Sequence, residues 1–520
     1  MAKNYNYDFK NLFVLDMANN HQGDLEHGLR IIDQHAEVVK KHGIKAGIKF
    51  QFRQLDTFIH PYHVNDDHKQ IKRFNSTRIP REHFETMLKR IKEHGLISIC
   101  TPFDEGSVDV IEEMGFDIIK VASCSAKDWP LIEKIAKAGM PVIYSTGGLT
   151  TAEIDSIVSF NNHHGVDHAI MHCVSIYPTL SNQCQLNQIE YLKNRYPNTT
   201  IGWSTHEEPG DDDPVKVAVA KGAEMLERHV GVEVGDIKLN AYSSTPAQLD
   251  HWITGYKKAV ALCGAVTNRP VSPKEESEAL NLLQRGVFAK RPIEKGETLT
   301  MDDVFFAIPY DPSMVASGEF KVGTVATKDI EEMAVLTKEN VELPEQPKRL
   351  IIQHALHEIK AMLNEARIPL NFNFKVEYSH HYGIEKFHET GAVLIDLVNR
   401  SYCKKIIVQL PGQSHPSHFH KRKEETFYVL SGVLNLEVDG HKRTLYPGET
   451  ILVQPGVWHS FSTETGVIFE ELSTTHYNDD SYYRDKKINK MARSERKTVV
   501  DHWGRFQLKD AEQEVTSNNQ

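Results

Sequence analysis

The sequence predicts an α/β chain that begins as a (β/α)8 barrel, passes into a small β-rich module and closes with an all-β domain. Three observations predict this. From residue 12 to about 263, short apolar runs alternate with amphipathic stretches of helical period, the pattern of βα units around a parallel sheet. Eight such runs fit within about 250 residues, the usual size of a closed barrel. From about residue 370 the pattern changes to strands separated by glycine turns, as in a sandwich or small barrel.

The candidate barrel strands are LFVLDMA (12 to 18), AGIKFQF (46 to 52), LISICTPF (96 to 103), DIIKVASC (117 to 124), PVIYSTGG (141 to 148), HAIMHCVS (168 to 175), TIGWSTH (200 to 206) and AEMLERHV (223 to 230). A doubly wound open sheet shares this local pattern, but it usually has fewer strands, and no GxGxxG fingerprint is present. Residues 264 to 283 are polar with two prolines and then helical, as a connector would be. In 284 to 343, RGVFAKRPI and the turn EKGETLT precede a second similar turn, KDIEEMAVLT, which suggests a compact β module. LIIQHALHEIKAMLNEA then reads as an amphipathic helix opening a domain over 350 to 483. The charged run from 484 to 520 reads as a solvated tail.

At 520 residues the chain exceeds one ordinary core. A net charge of -11 argues against a nucleic-acid or membrane-surface binder and favours small-molecule chemistry. The N-terminus lacks the apolar stretch of a signal peptide, and nowhere do eighteen uncharged apolar residues run together, so a cytoplasmic protein is expected. The six cysteines show no CxxC spacing and read as reduced thiols buried in strands, without structural disulfides.

Barrel chemistry gathers at the C-terminal ends of the strands. Those ends carry Asp16, Asn19, Asn20 and His21; Lys49 and Gln51; Thr101 and Asp104; Lys120 and Ser123; Ser145 and Thr146; His172 and Ser175; Ser204 and His206; Glu227 and His229. Two lysines from nearby strands, ringed by Ser and Thr hydroxyls, make a pocket for a phosphate or carboxylate dianion. A Schiff-base lysine, as in barrel aldolases, is the alternative. His206 and His229 end adjacent strands and read as an open divalent site, whereas either histidine alone would read as structural. Imidazole and oxygen ligands suit Mn, Fe, Co or Zn.

In order along the chain, NNHQG, KFQ, TPFD, KVAS, STGG, HCVSIYPT, the His of GWSTH and the His of ERHV resemble the motifs of the sialic acid synthase (N-acetylneuraminate synthase) family over residues 12 to about 263. RGVFAKRPIEKGETLTMDDV resembles the antifreeze-like (SAF) domain that follows the TIM barrel in that family. The parts are thus a synthase barrel (1 to 265), an SAF domain (284 to 343), a C-terminal domain (350 to 483) and a tail (484 to 520). The resemblance implies condensation of phosphoenolpyruvate with an open-chain N-acylated hexose, giving a nine-carbon 2-keto acid and phosphate. It implies that Lys49, Thr101, Lys120, Ser123, Ser145 and Ser204 hold the donor's phosphate and carboxylate. Tyr177 would face the sugar, and Gln51, Ser175 and Asn240 join it as substrate-binding positions. A divalent ion, Mn or Mg, on His206 and His229 would polarise the aldehyde. A homodimer is implied, with the SAF domain of one chain over the barrel of the other. Three positions depart from the family: Asp16 replaces a glutamate, Lys238, Leu239 and Asn240 replace PDH, and Ile308 and Pro309 replace Arg-Pro. Donor binding is therefore expected intact and sugar recognition changed.

PGQSHPSHFHKRKEETF (411 to 427) sets two histidines one residue apart with a carboxylate five residues on. Gly412, His418, His420, Glu425 and Gly432 resemble the first cupin motif; Gly448, Gly456 and His459 resemble the second, with Gln454 where proline is usual. Three imidazoles and a carboxylate suit Zn, Mn, Fe or Ni. Such ligands serve dioxygenase and sugar-isomerising cupins alike, and the neighbouring barrel favours a sugar. Lys423, Glu424 and the EELSTTH run at 470 to 476 are candidates for sugar contact or proton transfer. The remaining readings are a sugar isomerase whose barrel has lost condensation, and a sugar-binding regulator.

Overall fold

Eight parallel strands, Leu12–Asp16 (β1), Lys45–Phe52 (β2), Ile97–Pro102 (β3), Ile118–Val121 (β4), Val142–Ser145 (β5), His168–Cys173 (β6), Thr200–Thr205 (β7) and Leu226–His229 (β8), pair in chain order, and β8 closes on β1. The computed structural model describes residues 7–265, 269–345, 348–371, 373–501 and 503. They fall into two compact units, 1–271 and 272–520.

Two residues per repeat sends alternate side chains inward. Leu12 and Val14 on β1, Ile99, Ile118, Ile143, Ala169, Met171 and Met225 form an apolar floor inside the barrel. One step further along the strands the same inward series reaches Asp16, Lys49, Thr101, Lys120, Ser145, Cys173, Ser204 and Glu227, all buried. Helices cover the outer face, and their apolar sides pack on strand residues such as Phe13, Phe50, Tyr144 and Trp203. The first helix, Leu25–His42, starts where Asp24 accepts from the His27 amide at 2.6 Å and stops at Gly43, whose φ of 60° is left-handed.

In the second unit, Gly286–Ala289 pairs antiparallel with Val304–Ala307. Ile293 bridges Ile330 and Phe288 bridges Val335, so the two similar turns read in the sequence meet. Val287, Leu299, Val304, Val315 and Leu336 fill that small core.

The all-β domain has two sheets. The first orders Thr450–Val453, Glu425–Gly432, Val467–Thr474, Tyr402–Gln409, Ala392–Asn399, Val376–Ser379 and Lys497–Val500; the second orders His441–Leu445, Leu434–Val438, His459–Ser462, Ser414–Phe419 and Tyr482–Tyr483. The helix Lys348–Glu365 packs Ala355, Leu356 and Ile359 into the same core as Val376, Val393 and Ile468.

Two expectations need correction. Residues 484 to 500 are not a solvated tail: Lys497–Val500 is a strand paired with Val376–Ser379. Two of its charges are answered from far along the chain, because Arg493 (2.7 Å) and Lys497 (2.5 Å) both bind the Glu377 carboxylate. The remainder of that reading, 504 to 520, lies outside the described residues, as do 266 to 268 of the connector and 346 and 347 after the module. The six cysteines are free, but only Cys100, Cys173, Cys184 and Cys403 are buried, and Cys124 and Cys263 are exposed. No helix among the described residues is long and apolar enough to cross a membrane.

Candidate active site and metal centre

Glu227 lies between the two buried lysines. It binds Lys49 Nζ through Oε1, and its Oε2 is 3.4 Å from Lys120 Nζ. Lys49 Nζ is also 2.9 Å from Asp16 Oδ2, and Lys120 Nζ donates to Ser145 Oγ at 2.5 Å. Burial opposes charge on each group, yet the outcomes differ. Asp16 and Glu227 together hold the Lys49 ammonium well above its ordinary range, while Lys120, answered mainly by Glu227, falls below its own. The two ammonium groups in turn keep Glu227 ionised despite its burial. Two carboxylates thus face two ammonium groups, but unevenly: Lys49 meets both Asp16 and Glu227, whereas Lys120 meets Glu227 alone and keeps a side open to a further anion.

The hydroxyls lie around these cations. Thr101 Oγ1 is buried and has no hydrogen-bond partner. Ser123 Oγ accepts from the Gly147 amide at 3.0 Å. Gly147 has no room for a side chain: a Cβ there would lie 2.2 Å from Ser175 Oγ and 2.8 Å from Ser123 Oγ. The glycine of STGG therefore lets Ser123 and Ser175 approach the backbone. Ser204 is buried one strand from Glu227 in register.

The imidazoles of His206 and His229 are 5.3 Å apart between ring centroids. His206 Nδ1 faces the Val174 carbonyl at 3.0 Å, and His229 Nδ1 faces Asp16 Oδ2 at 3.3 Å. Each ring is thereby oriented through Nδ1, as in a metal ligand, although His206 also meets the Cys173 thiol, which together with the Val174 carbonyl outweighs burial and raises its pKa. Burial lowers His229 to about 4, so it stands neutral, as a ligand must. These donors fit an open divalent site with two protein imidazoles. Tyr177 (4.2 Å from the His206 ring) and Tyr242 (5.1 Å from the His229 ring) form an aromatic wall beside them. Gln51 Nε2 is 3.4 Å from Asp16 Oδ2. Asn240 is drawn into its own turn, accepting from the Tyr242 amide at 3.1 Å. Leu239 packs over Gly231, where a Cβ would meet it at 2.5 Å, and Ile308 is exposed.

Neither Tyr242 nor the bridging role of Glu227 is readable from motifs. Glu227 shows itself only when the inward period of β8 is followed next to the two lysines.

In the all-β domain, ligand atoms of His418, His420 and His459 lie within 4.8 Å of one another. Their Nδ1 atoms face the carbonyls of Pro416 (3.0 Å), Asp480 and Val457 (3.1 Å). Glu425 lies 3.4 Å from His420 Nε2 and 3.2 Å from His459 Nε2. His459 Nε2 and Glu425 Oε2, both buried, face each other at 3.2 Å and make no other hydrogen bond, an arrangement that suits two ligands to one cation. This donor set fits a divalent ion. Lys423 Nζ binds Glu425 at 2.5 Å and Glu471 at 2.9 Å. Glu424 does not join it: the side chain is exposed, because its strand neighbour Glu425 takes the inward position. From the EELSTTH run it is Glu471 that reaches the pocket.

Residues 36–268 match the model of the NeuB family, and residues 406–472 match the model of the cupin domain. A crystal structure of a spore coat polysaccharide biosynthesis protein E from Chromobacterium violaceum is 42% identical with a TM-score of 0.62, covering 64% of this chain and all of that one. An uncharacterized protein of Methanocaldococcus jannaschii is 31% identical over 292 residues, 56% of this chain and 82% of the relative. The N,N'-diacetyllegionaminic acid synthase of Campylobacter jejuni is 25% identical over 334 residues, 62% of this chain and 98% of the relative.

Proposed function

The chain belongs to the NeuB family, and on that premise we propose that its barrel condenses phosphoenolpyruvate with an amino-sugar aldose, N-acetylmannosamine-like, to give a nonulosonic 2-keto sugar acid and phosphate. The observation that carries the reading is the buried Lys49–Glu227–Lys120 array, in which Lys120 meets a single carboxylate, with an unpartnered Thr101 hydroxyl, beside the His206 and His229 imidazoles. The similarity to a protein named as a legionaminic acid synthase supports the same class of product.

In this reading Lys120, Thr101, Ser123, Ser145 and Ser204 grip the phosphate and carboxylate of the donor, and Lys49, held by Asp16 and Glu227, fixes the charge beside them. A divalent ion, Mn or Mg, held by His206 and His229 would supply Lewis-acid polarisation of the acceptor carbonyl. C3 of the enol phosphate then attacks the aldehyde, water adds at C2, and phosphate leaves. Tyr177 and Tyr242 wall the acceptor's side, with Gln51 and Ser175 as further contacts and Asn240 at the neighbouring turn. Changed residues at Asp16, Leu239 and Ile308 point to an aldose modified differently from the usual one. The cupin domain holds its own ion, Zn, Mn, Fe or Ni, on His418, His420, Glu425 and His459 and binds or isomerises a related sugar. The protein works in the cytoplasm as a homodimer in which the module at 284 to 343, an SAF domain, covers the partner's barrel.

Phosphate release from phosphoenolpyruvate with Mn2+ across a broad aldose panel tests this. Release with at least one aldose is expected; none with any member of the panel contradicts condensation.

A further inference from the structure

The cupin pocket holds more positive charge than a neutral sugar would require. The buried side chains of Lys405 and Lys423 and the partly buried side chain of Lys497 line it against Glu425 and Glu471, three ammonium groups against two carboxylates before any divalent ion is added. Lys423 is shared by both carboxylates. The direct ion pairs of the other two lysines lie outside the lining, although Glu471 also acts on Lys405 across it. Lys405 lies 3.0 Å from Asp396, whose side chain is half-exposed, and Lys497 shares Glu377 with Arg493. An ammonium whose partner is a solvated or shared acid is only partly neutralised, so a further anion in the cavity is attracted to it. The imidazoles of His415 and His476, also lining it, are kept neutral by burial and add no counter-charge.

On the reading that this domain binds a sugar-derived ligand beside a divalent ion, we infer that the ligand is a sugar acid, whose carboxylate and adjacent oxygen face the ion site while Lys405 and Lys497 neutralise the carboxylate. An ion on three imidazoles and one carboxylate keeps positions open for two ligand oxygens. A carboxylate with a neighbouring oxo or hydroxyl group presents such a pair at one end, and its negative charge answers the lysines. A neutral aldose offers the oxygens but brings no charge to complement the lysines, which are left with Asp396 and Glu377 alone as direct partners. The class includes 2-keto acids of the kind proposed for the barrel, so the domain would receive the product rather than the starting sugar. The strand Lys497–Val500 carries one of the two lysines, which gives the C-terminal segment a part in recognition.

The test is calorimetric binding of pyruvate, N-acetylneuraminate, inorganic phosphate and N-acetylmannosamine to the full-length protein with and without Mn2+. Lys405→Met combined with Lys497→Met is compared with Lys405→Arg combined with Lys497→Arg. Affinity for the two carboxylates is expected to fall at least tenfold in the Met pair and to survive in the Arg pair, with metal content and phosphate release by the barrel unchanged in both. Equal binding of N-acetylmannosamine, or carboxylate binding that both pairs retain at wild-type strength, overturns the inference. Phosphate competing as well as the carboxylates marks a bare anion hole and overturns it too. If the Met pair fails to fold, loss of carboxylate binding in Glu377→Gln and Arg-pair proteins that keep their metal also overturns it, since their lysine-site charge remains. Failure to bind metal at His418, His420 and His459 defeats the metal reading separately, and lysine-dependent carboxylate binding in metal-free protein then decides the anion assignment alone.

Discussion

Asp16 Oδ2 lies 3.3 Å from His229 Nδ1 and 2.9 Å from Lys49 Nζ, so one buried carboxylate joins the imidazole pair to the ammonium array. The side chain makes both contacts although it is one methylene shorter than the glutamate that the resemblance implies there. Replacing it by asparagine removes the negative charge that orients His229 and steadies Lys49. For Asp16→Asn, metal affinity measured by titration is expected to fall about 10- to 100-fold, as for other partners that orient ligands. Unchanged metal affinity would show that Asp16 does not orient the site.

Glu227 is the shared counter-ion of two buried ammonium groups. Removing one partner from a buried ion array costs about 3–5 kcal/mol, because the remaining charges stay buried. Glu227→Gln is therefore expected to unfold at lower temperature by calorimetry, with phosphoenolpyruvate recovering part of the loss. A wild-type melting temperature would mean that the lysines find other counter-charge.

Gly147→Ala places a methyl group against Ser123 Oγ and Ser175 Oγ. The hydroxyls must move, so donor KM should rise about tenfold or more, an effect of about 1.4 kcal/mol, while far-ultraviolet circular dichroism stays unchanged. Unchanged KM would remove Ser123 and Ser175 from the donor site.

The edge strand of the cupin domain should be sensitive to acid. Burial opposes ionisation of Glu377, but Lys497, Lys405 and Arg493 prevail and hold it at about 2. Because this carboxyl lies below its unfolded value, its stabilisation is complete above the unfolded value and is lost as pH falls through about 2. Acid denaturation followed by fluorescence should show Glu377→Gln less stable than wild type near neutrality, with the difference shrinking below about pH 4.5. A constant difference across that range would rule out this ion cluster as the cause.

His459→Ala should empty the cupin ion site, detected by metal analysis, while phosphate release by the barrel persists. The two sites draw on separate residues, so loss of both signals together would contradict their independence.

The barrel was legible because two local regularities coincide: the βα alternation, and inward residues that turn from Leu12 and Val14 to Asp16 along one strand. The cupin ligands were legible from spacing, since neighbouring strands present them from short motifs. Charge misled where pairing is non-local. The Lys497 strand looks solvated until Glu377, 120 residues earlier, is placed against it. Glu424 and Glu471 look equivalent until strand parity turns one outward and the other toward Lys423. Tyr242 follows a loop whose path no local pattern encodes.

Calorimetric titration of phosphoenolpyruvate into the Mn2+-loaded protein, beside the Lys49→Met and Lys120→Met variants, tests the central claim most directly. Binding by the wild type and its loss on removal of Lys120, with Lys49→Met also weakened, is the predicted result. Absence of binding by the metal-loaded wild type, or undiminished binding when both lysines are replaced, would contradict it.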